Sequence, residues 1–119
     1  MRAQYKGHRI LDIAGAFSLA TWNPPDPTDF SVTIDFYAGT EGDAGADAFT
    51  ATVCSPSWFL RSQGGSVFSA ENVIFMRRFD CVELEKFLRD RCAATEGETW
   101  NAIGAQLTRL GHWEFDYRL

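Results

Sequence analysis

From Phe30 to Ala38 the chain alternates without error. Phe30, Val32, Ile34, Phe36 and Ala38 fall on one side, and Ser31, Thr33, Asp35 and Tyr37 on the other. A period of two predicts a half-buried β-strand. Gly39 to Gly45 carries glycines and acids and predicts a mobile hairpin loop. Ala48 to Cys54 then returns antiparallel, with Phe49, Ala51 and Val53 facing inward. Upstream, residues 2–13 alternate imperfectly and are expected as a further strand. Trp22-Asn23-Pro24-Pro25-Asp26-Pro27 must be irregular, because its prolines lack donors and hold the preceding residues extended. It reads as a rigid loop with Trp22 anchored in the body.

Downstream the period changes. Ser55 caps a short helix with Pro56 in its first turn, and Gln63-Gly64-Gly65 ends it. Val73 to Arg77 is a short strand. Asp80 caps a helix running to about Ala93, with Leu84, Phe87, Leu88 and Cys92 as its apolar stripe. Glu85–Arg89 and Lys86–Asp90 are supporting pairs one turn apart. Thr95-Glu96-Gly97-Glu98 reads as a capping box for a helix carrying Trp100, Ile103, Gly104, Leu107 and Leu110 on one face, ended by Gly111. Trp113 to Tyr117 is a closing strand, with Trp113, Phe115 and Tyr117 on one side. Trp58 and Trp100 are expected in the core. The pattern predicts an α+β fold as a single domain over residues 1–119: an antiparallel sheet with two to three helices packed on one face.

Composition adds limits. The 119 residues are 45% hydrophobic and 23% charged, so disorder and fibrous classes are excluded. No apolar run approaches the roughly 18 residues of a membrane helix. The start, Met1 to Arg9, has charges without an apolar block behind them, so no secretory signal is expected. Cys54, Cys81 and Cys92 are odd in number and lack C-x-x-C spacing. Cys81 and Cys92 lie on one helix about 16 Å apart, too far to bridge. Free thiols and a cytoplasmic location are the expectation.

The net charge is −5, unevenly spread. No Lys or Arg occurs between Arg9 and Arg61, while Asp12, Asp26, Asp29, Asp35, Glu41, Asp43 and Asp47 fall in that stretch. Such a balance argues against a nucleic-acid binder and favours a cationic partner. Catalytic chemistry is poorly supplied. His8 and His112 are the only histidines, and no phosphate-binding glycine motif occurs. Cys54 as nucleophile, His112 as base and Asp116 as orienter is the best enzymatic alternative. Against it, Cys54 sits between Val53 and Ser55 with no cation beside it, and His112 is better placed to satisfy the carbonyls ending the preceding helix. Asp43 and Asp47 as a carboxylate pair fare no better in a glycine loop. No catalytic, metal or cofactor set is therefore assigned, and the third reading is an adaptor subunit of a larger assembly.

The C-terminal residues carry a resemblance. Glu96-Gly97-Glu98-Thr99-Trp100, Ile103, Leu107 and Gly111-His112-Trp113-Glu114-Phe115-Asp116-Tyr117 resemble the ending of the immunity protein 8 family, and Cys54-Ser55-Pro56-Ser57-Trp58 is similar to its middle signature. Asp26-Pro27 before Phe30 and the acidic glycine loop before Phe49 stand in the same order. The resemblance implies a small antitoxin of a bacterial polymorphic toxin system. It would bind a cognate toxin domain stoichiometrically, without catalysis and without a membrane. The family motifs look structural, so the toxin-binding surface is expected from charge: Asp35, Glu41, Asp43 and Asp47, extended by Asp26 and Asp29, with Tyr37 as an apolar anchor facing a basic toxin surface.

Overall fold

The computed structural model describes residues 1–11 and 19–116. The expectations for residues 12–13 and for Tyr117 lie outside them. Strands β2 (Ser31–Thr40) and β3 (Asp47–Cys54) form the central antiparallel pair, with Ile34 opposite Ala51 and Phe36 opposite Phe49. Their inward residues, from Val32 to Ala38 and from Phe49 to Val53, are all buried. The strand β1 (Ala3–Ile10) pairs antiparallel with β2, with a register shift between Tyr5 and Gly7 where Gly7 takes a positive φ of 126°. This irregularity accounts for its imperfect alternation.

The α+β class stands, with a mixed sheet. The strand β4 (Val73–Phe75) runs parallel to β3, and β5 (His112–Trp113) pairs antiparallel with the other end of β3. The reason is the connection. Helix α1 (Pro56–Gln63) and the segment after it carry the chain back beside Thr52, so that β4 runs parallel to the last residues of β3 as a crossover connection requires. The closing strand is shorter than its alternation suggests. The N–H of Asp116 bonds the carbonyl of Trp113, turning the chain so that Phe115 is half exposed.

Helices α2 (Cys81–Ala93) and α3 (Trp100–Leu107) cover the inner face. Leu84, Leu88 and Cys92 of the first, and Ile103 and Leu107 of the second, close the core. Asp80 caps α2, and Lys86 and Asp90 pair at 2.9 Å as their spacing predicts. Phe87 is not core; it is 37% exposed, with Arg91 over its ring. Glu85 does not pair with Arg89. Its carboxylate accepts the Tyr5 hydroxyl at 2.7 Å, and Arg89 lies over the Tyr5 ring. The same hydroxyl is 2.9 Å from His8 Nδ1, and His8 Nε2 accepts the Leu19 N–H at 3.0 Å. An accepting Nε2 puts the ring proton on Nδ1, so this chain of bonds ties β1 to α2.

The cap of α3 is also displaced. Thr99, not Thr95, accepts the Ala102 N–H, because the Thr95 hydroxyl is donated to the Arg91 carbonyl. The helix ends at Leu107 and a turn leads to Leu110. Residues 95–97 are thereby free to clasp the start of the chain. The Ala3 N–H bonds the Thr95 carbonyl, Arg2 pairs with Glu96, and Met1 and Gly97 exchange backbone bonds.

Trp22 is anchored as expected, edge-on against Phe30 and Phe79. Trp58 is only partly buried; its neighbour Phe59 turns inward instead, against Phe68 and Phe75. Ser55 explains the local order. It is fully buried, and its hydroxyl accepts the N–H groups of both Phe30 and Trp58. One oxygen thus caps α1 and fixes the entry to β2.

Candidate interaction surface

The expected acidic residues fall in three places along β2. At one end, the turn between β2 and β3 presents Glu41 and Asp43 to solvent. The turn is tied down rather than loose. Asp43 N–H bonds the Thr40 carbonyl, Glu41 N–H bonds the Arg2 carbonyl, and the Lys6 ammonium donates to the Asp43 carbonyl. A side chain on Gly39 would stand 2.0 Å from the Gly45 carbonyl oxygen, so only glycine lets the two strands close there.

Asp47 follows the turn with a different task. Its Oδ2 accepts the indole N–H of Trp100 at 2.7 Å and that of Trp113 at 3.0 Å. Trp100 is therefore not enclosed in the core as its helix position suggests. It stands half-buried at the start of α3, held by a carboxylate on β3. Trp100, Trp113 and Phe115 with Asp47 line a shallow groove of about 700 Å³, and Asp116 lies at its rim. The Trp113–Phe115 rings meet edge-on at 6.2 Å. This aromatic shelf beside the acidic turn was not assigned from sequence. Its signal was the alternation of aromatic and acidic residues from Trp113 to Asp116.

Midway along β2, Asp35 is on the outer face but only 8% exposed. Its carboxylate accepts the Thr50 hydroxyl at 2.6 Å and lies 3.7 Å from Arg9. Tyr37 shares that face, half-buried, opposite Gly7 and Ala48. At the far end, Asp29 pairs with Arg61 at 2.5 Å. Asp26 accepts the Thr28 N–H and hydroxyl, and those two bonds, in that order, hold its carboxyl below the usual range, with Arg78 a smaller contribution. Asp26 and Asp29 lie a full strand away from Glu41, roughly 30 Å at the rise of a β-strand. The structure brings Glu41, Asp43 and Asp47 together and leaves the others apart. The run without cations in the sequence also acquires cations in space: Arg9, Arg61 and Lys6 all reach it.

The cysteine constellation does not assemble. His112 is registered opposite Thr50, four residues along β3 from Cys54, so the two lie roughly 13 Å apart. Cys54 is fully buried, and burial pushes its thiol up. His112 is exposed and does not serve the end of α3. The Leu107 carbonyl is taken by the N–H groups of Leu110 and Gly111, and the Thr108 carbonyl by the Asn72 amide. Among the described residues, no three His, Cys, Asp or Glu side chains converge to hold a metal ion. No helix among them is long and apolar enough to cross a membrane.

No curated protein and no solved structure matches the chain. The family model described as Immunity protein 8 matches residues 8–117. That match takes in the Asp47–Trp100–Trp113 junction, the Ser55 cap, the end of β1 and the other four strands of the sheet, and the chain belongs to the immunity protein 8 family.

Proposed function

We propose that this immunity protein neutralises a cognate toxin domain of a bacterial polymorphic toxin system by stoichiometric binding in the cytoplasm of the producing cell. Its contact surface is centred on the turn bearing Glu41 and Asp43 and on the adjoining Trp100–Phe115 shelf. Family membership supports the role. The observation that carries the surface is the pairing of exposed carboxylates with an aromatic groove whose tryptophans Asp47 holds in place. Charges steer a basic partner and raise the association rate, while anchored aromatics supply the desolvated centre that charge lacks. Asp35 and Tyr37 extend the surface along β2. Asp26 and Asp29 lie at its margin or beyond it.

The test leaves Asp35 and Asp47 intact because both hold the fold. Glu41→Lys with Asp43→Ser is expressed with the toxin domain. Growth rescue and the salt dependence of the association rate are then measured beside a melting curve. The folded variant is expected to associate roughly tenfold more slowly at low salt, with a shallower salt dependence. Full protection with unchanged salt dependence would place the toxin elsewhere.

A further inference from the structure

Most of the basic side chains of the described residues are engaged. Arg2, Arg9, Arg61 and Lys86 form ion pairs, Lys6 donates to the acidic turn, and Arg89 covers Tyr5. Arg77, Arg78 and Arg109 remain, together with Arg91, whose guanidinium lies over the Phe87 ring, and all four are exposed. None forms an ion pair among the described residues, and all line one groove of about 630 Å³. Its walls are β4, α2 and the turn after α3. Phe75 and Phe87 line it as well, 51% and 37% exposed. Phe87 departs from the core stripe of α2 to reach this groove. The strand β4 is the last in the path β1-β2-β3-β4, so no strand among the described residues covers its other edge.

We propose that this groove docks an extended, acidic polypeptide segment that carries apolar side chains. Such a segment complements the groove in charge and can pair with the free edge of β4. A protein of net charge −5 has gathered four arginines that form no ion pair among the described residues around exposed aromatics, against the single acid Glu83 in the lining. Arginine forks bind carboxylates bidentately, and apolar side chains of the segment cover the two phenylalanines. The backbone edge of β4 is matched by another backbone in strand register, which favours a polypeptide over a nucleic acid. This surface is separate from the acidic turn and does not depend on the toxin-binding reading.

The test uses the full chain and a short fluorescein-labelled peptide alternating Glu with Val and Leu. Controls are the same peptide with Lys for Glu, and a short oligothymidylate. The acidic peptide is expected to bind saturably, roughly tenfold tighter than its Lys counterpart, and to weaken as salt rises. Arg91→Gln with Arg109→Gln, and separately Phe87→Ser, should each weaken it several-fold. Amide resonances of Val73 to Phe75 should shift on binding. Tighter binding of oligothymidylate would overturn the proposal in favour of nucleic acid. Self-association in sedimentation that Arg109→Gln abolishes would overturn it in favour of a second copy. Peptide binding unmoved by both variants would overturn it outright.

Discussion

The α-carbon of Gly104 lies directly against the indole of Trp113: a Cβ built on it would meet the ring's Cη2 and Cζ3 at 2.7 Å. Glycine in a helix interior costs about 1 kcal/mol relative to alanine. Here the close approach of α3 to β5 requires it. Gly104→Ala is expected to destabilise the fold by about 1–3 kcal/mol despite its better helix propensity, because Trp113 is boxed in by Phe49 on its other side. A denaturant midpoint and the near-ultraviolet circular dichroism of the tryptophans check this. An unchanged midpoint would mean that the indole moves aside freely.

Asp47 holds two indoles with one oxygen, so its removal leaves two donors without their acceptor. Asp47→Ala should cost about 2–3 kcal/mol, and Asp47→Asn less, since the amide oxygen can still accept. Tryptophan fluorescence should shift to longer wavelength in the alanine variant as Trp100 loses its hold.

Ser55 serves two backbone donors from full burial. Ser55→Ala is expected to lose about 2 kcal/mol, more than an ordinary helix cap, because the Phe30 N–H is stranded as well. Hydrogen exchange should accelerate at both Phe30 and Trp58. Acceleration at Trp58 alone would show that the strand entry is fixed by other contacts.

Burial pushes the Cys92 thiol up to about 11, against a small opposing pull from Arg91. The unfolded thiol ionises near its ordinary value of 9.0, so between these two values the unfolded chain gives up its proton first. Stability from this group is therefore complete below pH 9 and is lost as pH rises toward 11, by about 2–3 kcal/mol in all. Urea unfolding across that range should show the fall, and Cys92→Ala should flatten it. In the native protein a thiol reagent should reach partly exposed Cys81 before buried Cys54 and Cys92.

The elements whose signals are local were legible in the sequence. The alternation of β2 and the cap of α2 needed no partner to be read. What failed were readings that a competing partner overturns, whether one helical turn away or across the sheet. Thr95 looks like a cap until Arg91 takes its hydroxyl, and Trp100 looks like core until Asp47, 53 residues away, takes its N–H. The parallel course of β4 follows from a crossover that periodicity does not encode. Charge counted along the chain found the acidic stretch but not Arg9, Arg61 and Lys6, which the sheet and α1 bring beside it. The same counting missed the four arginines of the β4 groove, spread from Arg77 to Arg109.

The clasp between Met1–Ala3 and Thr95–Gly97 bears on the order of synthesis. A hairpin of β1 with β2 can form as soon as Thr40 has left the ribosome, but the start of β1 stays unsecured until residues 95–97 emerge. Contacts this remote in sequence slow folding, because loop closure precedes any gain from them. A nascent chain halted before Thr95 would expose one end of its first strand to other chains and to proteases. Residues 95–97 therefore act as a late-made fastener for the start of β1.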